Sequence, residues 1–247
     1  MAVGTLAIGL TFIAGTFLTG IYLSTFSTER TIASVAAEEA FAKVRIYGLD
    51  PNHASLKTDG FVAYEQLTTL PAGESLYPSI DEGATRQYSW SLIARRVADG
   101  SDLVQCTAFV SRETGGSLGY WTRGNGAAGS QLTSSDRPHP VLVNLVQGAG
   151  SGTNEIAVQD AVATDGIDER TFINNGSILV DDATGQIYRV LERAADQPDR
   201  IELDRPWAGA ALTSSTGGWV WVVPPPTTGG RAPCVAVYQK VLRFPRQ

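Results

Sequence analysis

Between Ala2 and Phe26 the sequence carries no charged residue, and the whole chain of 247 residues has only two cysteines, two histidines and one methionine, Met1. Two histidines, His53 and His139, are too few for a histidine-rich zinc site. Two cysteines exclude a small disulfide-stapled scaffold. Acidic residues outnumber basic ones 25 to 19, a formal net charge of −6. That balance excludes a nucleic-acid binder held by bulk electrostatics, and no nucleic-acid partner is expected. A hydrophobic share of 43%, with 26 Gly and 12 Pro, excludes a wholly disordered chain and a collagen.

What is present is distributed unevenly. The uncharged run AVGTLAIGLTFIAGTFLTGIYLSTF occupies residues 2–26. At about 1.5 Å per residue a helix over it is roughly 37 Å long, enough to cross a hydrocarbon core of about 30 Å. A helix also satisfies its backbone hydrogen bonds within one segment, which lipid demands. Small residues recur at intervals of four, pairing Thr5 with Gly9, Thr11 with Gly15, Thr16 with Gly20, and Gly20 with Ser24. Such residues let helix backbones approach closely in lipid, so these seven are the candidate helix-packing residues. The helical pattern continues through ERTIASVAAEEAFAKVRIYG, with Ile32, Val35, Ala36, Ala40, Phe41, Val44 and Tyr47 at three–four spacing and Glu39–Lys43 as a favourable i,i+4 pair. Gly48 and Pro51 supply the stop. The expectation is one helix from about residue 3 to 47, membrane-embedded over 2–26 and amphipathic over 29–47.

The uncharged helix, its ERTIASVAAEEAFAKVRIYG continuation and the later YSWSLIARRVADGSDLVQCTAFVSRE segment together resemble the type IV pilin family, most closely a minor pseudopilin of a type II secretion system. The resemblance covers residues 1–48 and, more loosely, 88–112. It implies a subunit anchored in the bacterial inner membrane by its amino-terminal helix, with a β-domain on the periplasmic side. Its partners would be other pilin-like subunits, the inner-membrane platform of a secretion or pilus system, and membrane lipid. The basic leader and nearby glutamate of family precursors are not found here. The resemblance therefore implies a start upstream of Met1, and no position in this sequence carries the peptidase site. A solitary single-pass anchored binding module of the cell envelope is the alternative.

Beyond the helix the expectation is α+β: the helix packed on an antiparallel β-sheet, with an additional β-rich region that is sandwich- or barrel-like. The chain divides into the helix at 1–48, a pilin-like region with a β-hairpin at 49–112, a Gly/Ser-rich loop at 113–138 and a β-rich carboxy-terminal region at 139–247. Period-two alternation marks Tyr88–Arg95 and Leu103–Ser111 as a hairpin with one apolar face, directed at the helix, and one largely wet face. Within 113–138, Tyr120 and Trp121 are the only aromatics and are expected to tuck back onto the sheet. Seven short strands are expected at 141–146, 155–162, 177–182, 187–193, 200–205, 219–223 and 234–244, separated by turn signals. The last is expected to return to the sheet that begins at Tyr88, making 141–223 an insertion.

The chain lacks the motifs GxxxxGK[ST], HExxH and CxxC, and neither a reaction nor a cofactor is expected. Asp165, Asp168, Asp181 and Asp182 offer oxygen donors, but neither acidic stretch has EF-hand spacing, and solvated turn carboxylates are the expectation. Cys106 and Cys234 are a candidate disulfide pair, with a buried free thiol at Cys106 as the other option.

Overall fold

The computed structural model describes all residues except 1, 72, 80–86, 114–117, 124–129, 149–152, 162–165, 210, 214–216 and 246–247, with side chains from residue 10 onward. One α-helix, α1, runs unbroken over Ala2–Tyr47. It stops where Gly48 turns left-handed at φ 77°. The Gly48 N–H then reaches the Val44 carbonyl at 3.0 Å, a cap that a side-chain-bearing residue would adopt at a cost.

Sheet A is antiparallel. It contains β1 (Val62–Ala63), β2 (Leu76–Tyr77), β3 (Tyr88–Arg96), β4 (Leu103–Arg112) and β13 (Cys234–Arg243). β3 and β4 form the expected hairpin, in register from Tyr88↔Arg112 to Arg96↔Val104. The last strand, β13, returns to pair with β4 after the whole insertion. Ala33, Ala36, Ala37, Ala40, Phe41 and Val44 of α1 share one buried cluster with Trp90, Leu92, Val104, Cys106 and Ala108 of this sheet. Polar ties join the same elements: Arg112 to Glu29 at 2.9 Å, Lys240 to Glu38 at 2.6 Å, and the Tyr238 hydroxyl donating to the Arg30 carbonyl at 3.3 Å. The Glu39–Lys43 pair forms at 2.8 Å. The buried stripe differs from the expected one. Ala33 and Ala37 lie within it, whereas Val35, 51% exposed, lies outside. Alanines lack bulk, so they mark where a sheet approaches closely rather than where hydropathy peaks.

Between β4 and β13 the chain builds a closed six-stranded barrel. Its strands are β7 (Val141–Val146), β8 (Glu155–Gln159), β9 (Ile178–Asp181), β10 (Ile187–Arg193), β11 (Arg200–Leu203) and β12 (Gly218–Val222), in the order β10-β11-β8-β7-β12-β9. Closure leaves no free strand edge. Its interior is filled by Val141, Val143, Leu145, Ile156, Leu179, Tyr188, Ile201 and Val220 among others. Of the sandwich and barrel expected from the strand spacing, the barrel is the one formed.

Two expectations are corrected. The second face of the β3–β4 hairpin is not wet: Ile93 and Phe109 are packed with Phe61, Leu142, Val180, Trp221 and Val223, so the barrel covers it. The hydroxyls on that face are small, and two of them are partnered; Ser91 donates to the Pro138 carbonyl at 3.0 Å and Thr107 accepts from Gln239 at 3.1 Å. Nor is 113–138 wholly a loop. β5 (Tyr120–Arg123) and β6 (Leu132–Ser135) pair as a separate hairpin. Trp121 stacks on Phe172, with ring centroids 6.3 Å apart, and Leu132 enters the barrel core. The aromatics thus tuck in, Trp121 against the barrel.

Candidate functional site

The feature that sets this chain apart is the first half of α1. Leu10, Phe12, Ile13, Phe17, Leu18, Ile21, Tyr22 and Leu23 are all exposed, on a helix long and apolar enough to cross a membrane. Its polar side chains make few demands on the surroundings. Thr16 donates to the Phe12 and Ile13 carbonyls at 3.1 and 2.9 Å, Thr19 to Gly15 at 3.0 Å, and Thr25 to Ile21 at 2.9 Å. Back-bonding of this kind removes the hydroxyl as a cost in an apolar medium.

Of the candidate packing residues, Thr11, Gly15, Thr16 and Gly20 line one open groove along the helix, floored by Phe12, Thr19 and Leu23. An added Cβ at Gly15 or Gly20 meets nothing within 4 Å, so the bare backbone there is open to an approaching surface. Ser24 is exposed, and its carbonyl accepts from Thr28 at 2.9 Å. Thr5 and Gly9 lie on the helix but outside the residues whose side chains are described.

The helix leaves its uncharged half through a feature that i,i+4 spacing makes legible in the sequence. Tyr22 stacks on Phe26, centroids 6.4 Å apart, and the Arg30 guanidinium lies 4.6 Å from the Phe26 ring centre. Aromatic and basic side chains of this kind sit well at a membrane–water boundary. Arg112 closing on Glu29 was not legible in that way, because 83 residues separate them.

The two cysteines are not brought together. Both are free. Cys106 lies opposite Lys240, and Cys234 opposite Ser111, five residues further along β4. That offset is roughly 17 Å, far beyond the reach of a disulfide. They also face opposite sides of the sheet, Cys106 in the helix-side cluster and Cys234 against the barrel-side one. Burial pushes each thiol up to about 12, so neither is a ready nucleophile.

The paired aspartates are structural rather than solvated. Asp181 is fully buried and accepts from the backbone and hydroxyl of Thr184. Asp182 accepts from the Phe61 N–H at 2.8 Å and the Trp221 indole at 2.6 Å, joining barrel to sheet. Burial holds its carboxyl above the usual range, although both donors pull it down. Asp168 caps a 3₁₀ turn by accepting from the Arg170 N–H, and Asp165 lies outside the described residues. No group of three or more His, Cys, Asp or Glu among the described residues is placed to hold a metal. His139 is held neutral, its pKa lowered to about 4 by burial and then by Arg137, with Glu65 at 3.8 Å.

Gly115-Gly116-Ser117-Leu118-Gly119 has the spacing GxSxG. However, it leads from strand β4 to strand β5 and not from a strand into a helix, as a nucleophile elbow requires. Ser117 lies outside the described residues.

Compared with protein-family models, curated proteins and solved structures, the chain matches none.

Proposed function

We propose that this chain is a pilin-like structural subunit without a reaction of its own. In this view the first half of α1 anchors it in the bacterial inner membrane and packs against equivalent helices of other subunits, as in a minor pseudopilin. The second half of α1 carries sheet A and the barrel on the periplasmic side, where they meet neighbouring subunits or cargo. One observation carries this proposal: a single unbroken helix has exposed apolar side chains along one half and shares a buried cluster with a β-sheet along the other. The division of labour within one helix is what a subunit needs to be both held in lipid and rigidly coupled to an outer body. The open backbone at Gly15 and Gly20 supports helix contact over simple anchoring.

A solitary anchored envelope module shares the anchor and is favoured by one observation, the inserted barrel with its own core. The first test is topology. After alkaline carbonate extraction the full chain stays in the membrane fraction, and protease added to spheroplasts digests the β-rich body. Release by carbonate, or full protection from protease, refutes the proposal.

A further inference from the structure

The barrel does not stand clear of the helix. An open groove of about 620 Å³ is lined by Arg30 of α1, Gln105 and Gln239 of sheet A, and Arg189, Asp204 and Arg205 of the barrel. Its depth follows from the helix. Arg30 is four residues beyond Phe26, about 6 Å along the axis. The headgroup band on each side of the hydrocarbon core is roughly 5–8 Å deep. If residues 2–26 fill the core, Arg30 lies among headgroups, and so does the barrel wall that shares its groove.

The charge of the groove opposes that of the protein. The chain carries −6 overall, yet the groove sets three arginines against one carboxylate. Asp204 accepts from Arg205 at 3.0 Å and from the Arg189 backbone N–H at 3.0 Å. Among the described residues no carboxylate lies within ion-pair distance of the Arg30 or Arg189 guanidinium. Of the charged residues beside Arg30 on its own helix, Glu29 is taken by Arg112. A strand irregularity between Val190 and Glu192 leaves Leu191, one step from Arg189, 54% exposed. Unpaired guanidinium groups beside an exposed leucine suit a surface that is anionic outside and apolar beneath.

We infer that the barrel rests on the bilayer surface and that this groove receives the phosphates of anionic phospholipid headgroups. Two unpaired arginines supply the attraction, each guanidinium able to fork onto a phosphate. The groove therefore fixes the tilt of the body over the membrane. This inference rests on the membrane-anchored reading of α1.

The test is amide hydrogen exchange over residues 187–193 and 200–205 of the full chain in nanodiscs. The lipid is phosphatidylcholine alone or phosphatidylcholine mixed with phosphatidylglycerol. At about fivefold per unpaired arginine, exchange on the anionic discs is expected to be roughly thirtyfold slower. R30Q, which leaves the barrel untouched, and R189Q each reduce the difference to about fivefold; raised salt, or the double variant R30Q/R189Q, abolishes it. The double variant on phosphatidylcholine must match the wild type there, which establishes its fold. Inorganic phosphate added to phosphatidylcholine discs is expected to give no slowing; slowing by free phosphate alone would make the groove a soluble-anion site and overturn the lipid assignment. Equal exchange on both lipids, from a chain that resists carbonate, overturns the inference and leaves the anchor intact. A chain that fails to enter the discs refutes the anchor itself.

Discussion

Arg123 and Glu169 form an ion pair across the seam between the β5–β6 hairpin and the barrel, with side-chain exposures of 1% and 0%. Arg123 also donates to the Ser130 carbonyl. Glu169→Gln keeps the shape of the partner but leaves a guanidinium buried without its counter-charge, at a cost of about 3–5 kcal/mol. Arg123→Met leaves the carboxylate instead. In a domain with a total stability of about 5–15 kcal/mol either loss is severe, lowering Tm by roughly 6–20 °C. The two variants differ with pH. Arginine does not give up its proton, so in E169Q this site adds no pH dependence of its own from pH 5 to 8. Glu169 can gain one: burial already holds its carboxyl above the ordinary 4.5, and Arg123 is the main group opposing that. With Arg123 gone, the folded state binds more protons than the unfolded state above about pH 4.5. The R123M cost therefore shrinks as pH falls through that window and returns as pH rises. Replacing both residues, as R123M/E169L, brings stability back to within about 2 kcal/mol of wild type. Urea unfolding of the full chain in detergent micelles, followed by tryptophan fluorescence, measures all three variants; Trp121, Trp207, Trp219 and Trp221 report on this half. Single-variant losses below about 1 kcal/mol, or an R123M cost that ignores pH, would refute a desolvated pair and with it the seating of the hairpin on the barrel.

His139 has its pKa lowered to about 4 from 6.5. The unfolded chain then binds more protons between those values, so stability rises with pH across pH 4–6.5, by about 3 kcal/mol in all. His139→Gln should flatten that slope in unfolding curves. Gly185 sits at φ 75°, and an added Cβ would lie 2.7 Å from Gln105 Nε2 and 3.1 Å from the Phe61 ring. Gly185→Ala should cost about 1–3 kcal/mol. It should also loosen the barrel from sheet A, read as faster exchange over β9 and β10. Both thiols are free, so alkylation after denaturation without reductant should label Cys106 and Cys234 alike in mass spectra; labelling of neither would contradict the register of β4 and β13.

Much of this architecture is written locally in the sequence. β7 to β13 fall where period-two runs alternate with Gly, Asn and Asp turns, because strand and turn chemistry act over a few residues. The long helix is equally legible, since neither proline nor charge interrupts its first half. What was hidden depends on distant partners. The barrel-side face of β3 and β4 carries Ser89, Ser91 and Thr107, which look wet until Trp221 and Phe61 close over that face. β5 and β6 lie in a stretch whose Gly and Ser content argues for a loop, and only Phe172 and the Arg123–Glu169 pair explain why they order. The buried stripe of α1 is mostly alanine, so hydropathy pointed to Val35 instead. For the candidate site, the Thr and Gly positions and the Tyr22–Phe26–Arg30 ladder were readable from spacing. The arginine groove was not, because α1, sheet A and the barrel each contribute to it.

The central claim is that the exposed half of α1 packs against other helices in the membrane. It is tested most directly by a photo-crosslinking residue at Thr16, beside Gly15 and Gly20 in the open groove, in the full chain in its own membranes. The account predicts crosslinks to pilin-like neighbours or to second copies, and their loss in a G15L/G20L background that still inserts normally. Adducts to lipid alone, or crosslinks undiminished by the two leucines, would contradict it and leave α1 as a plain anchor.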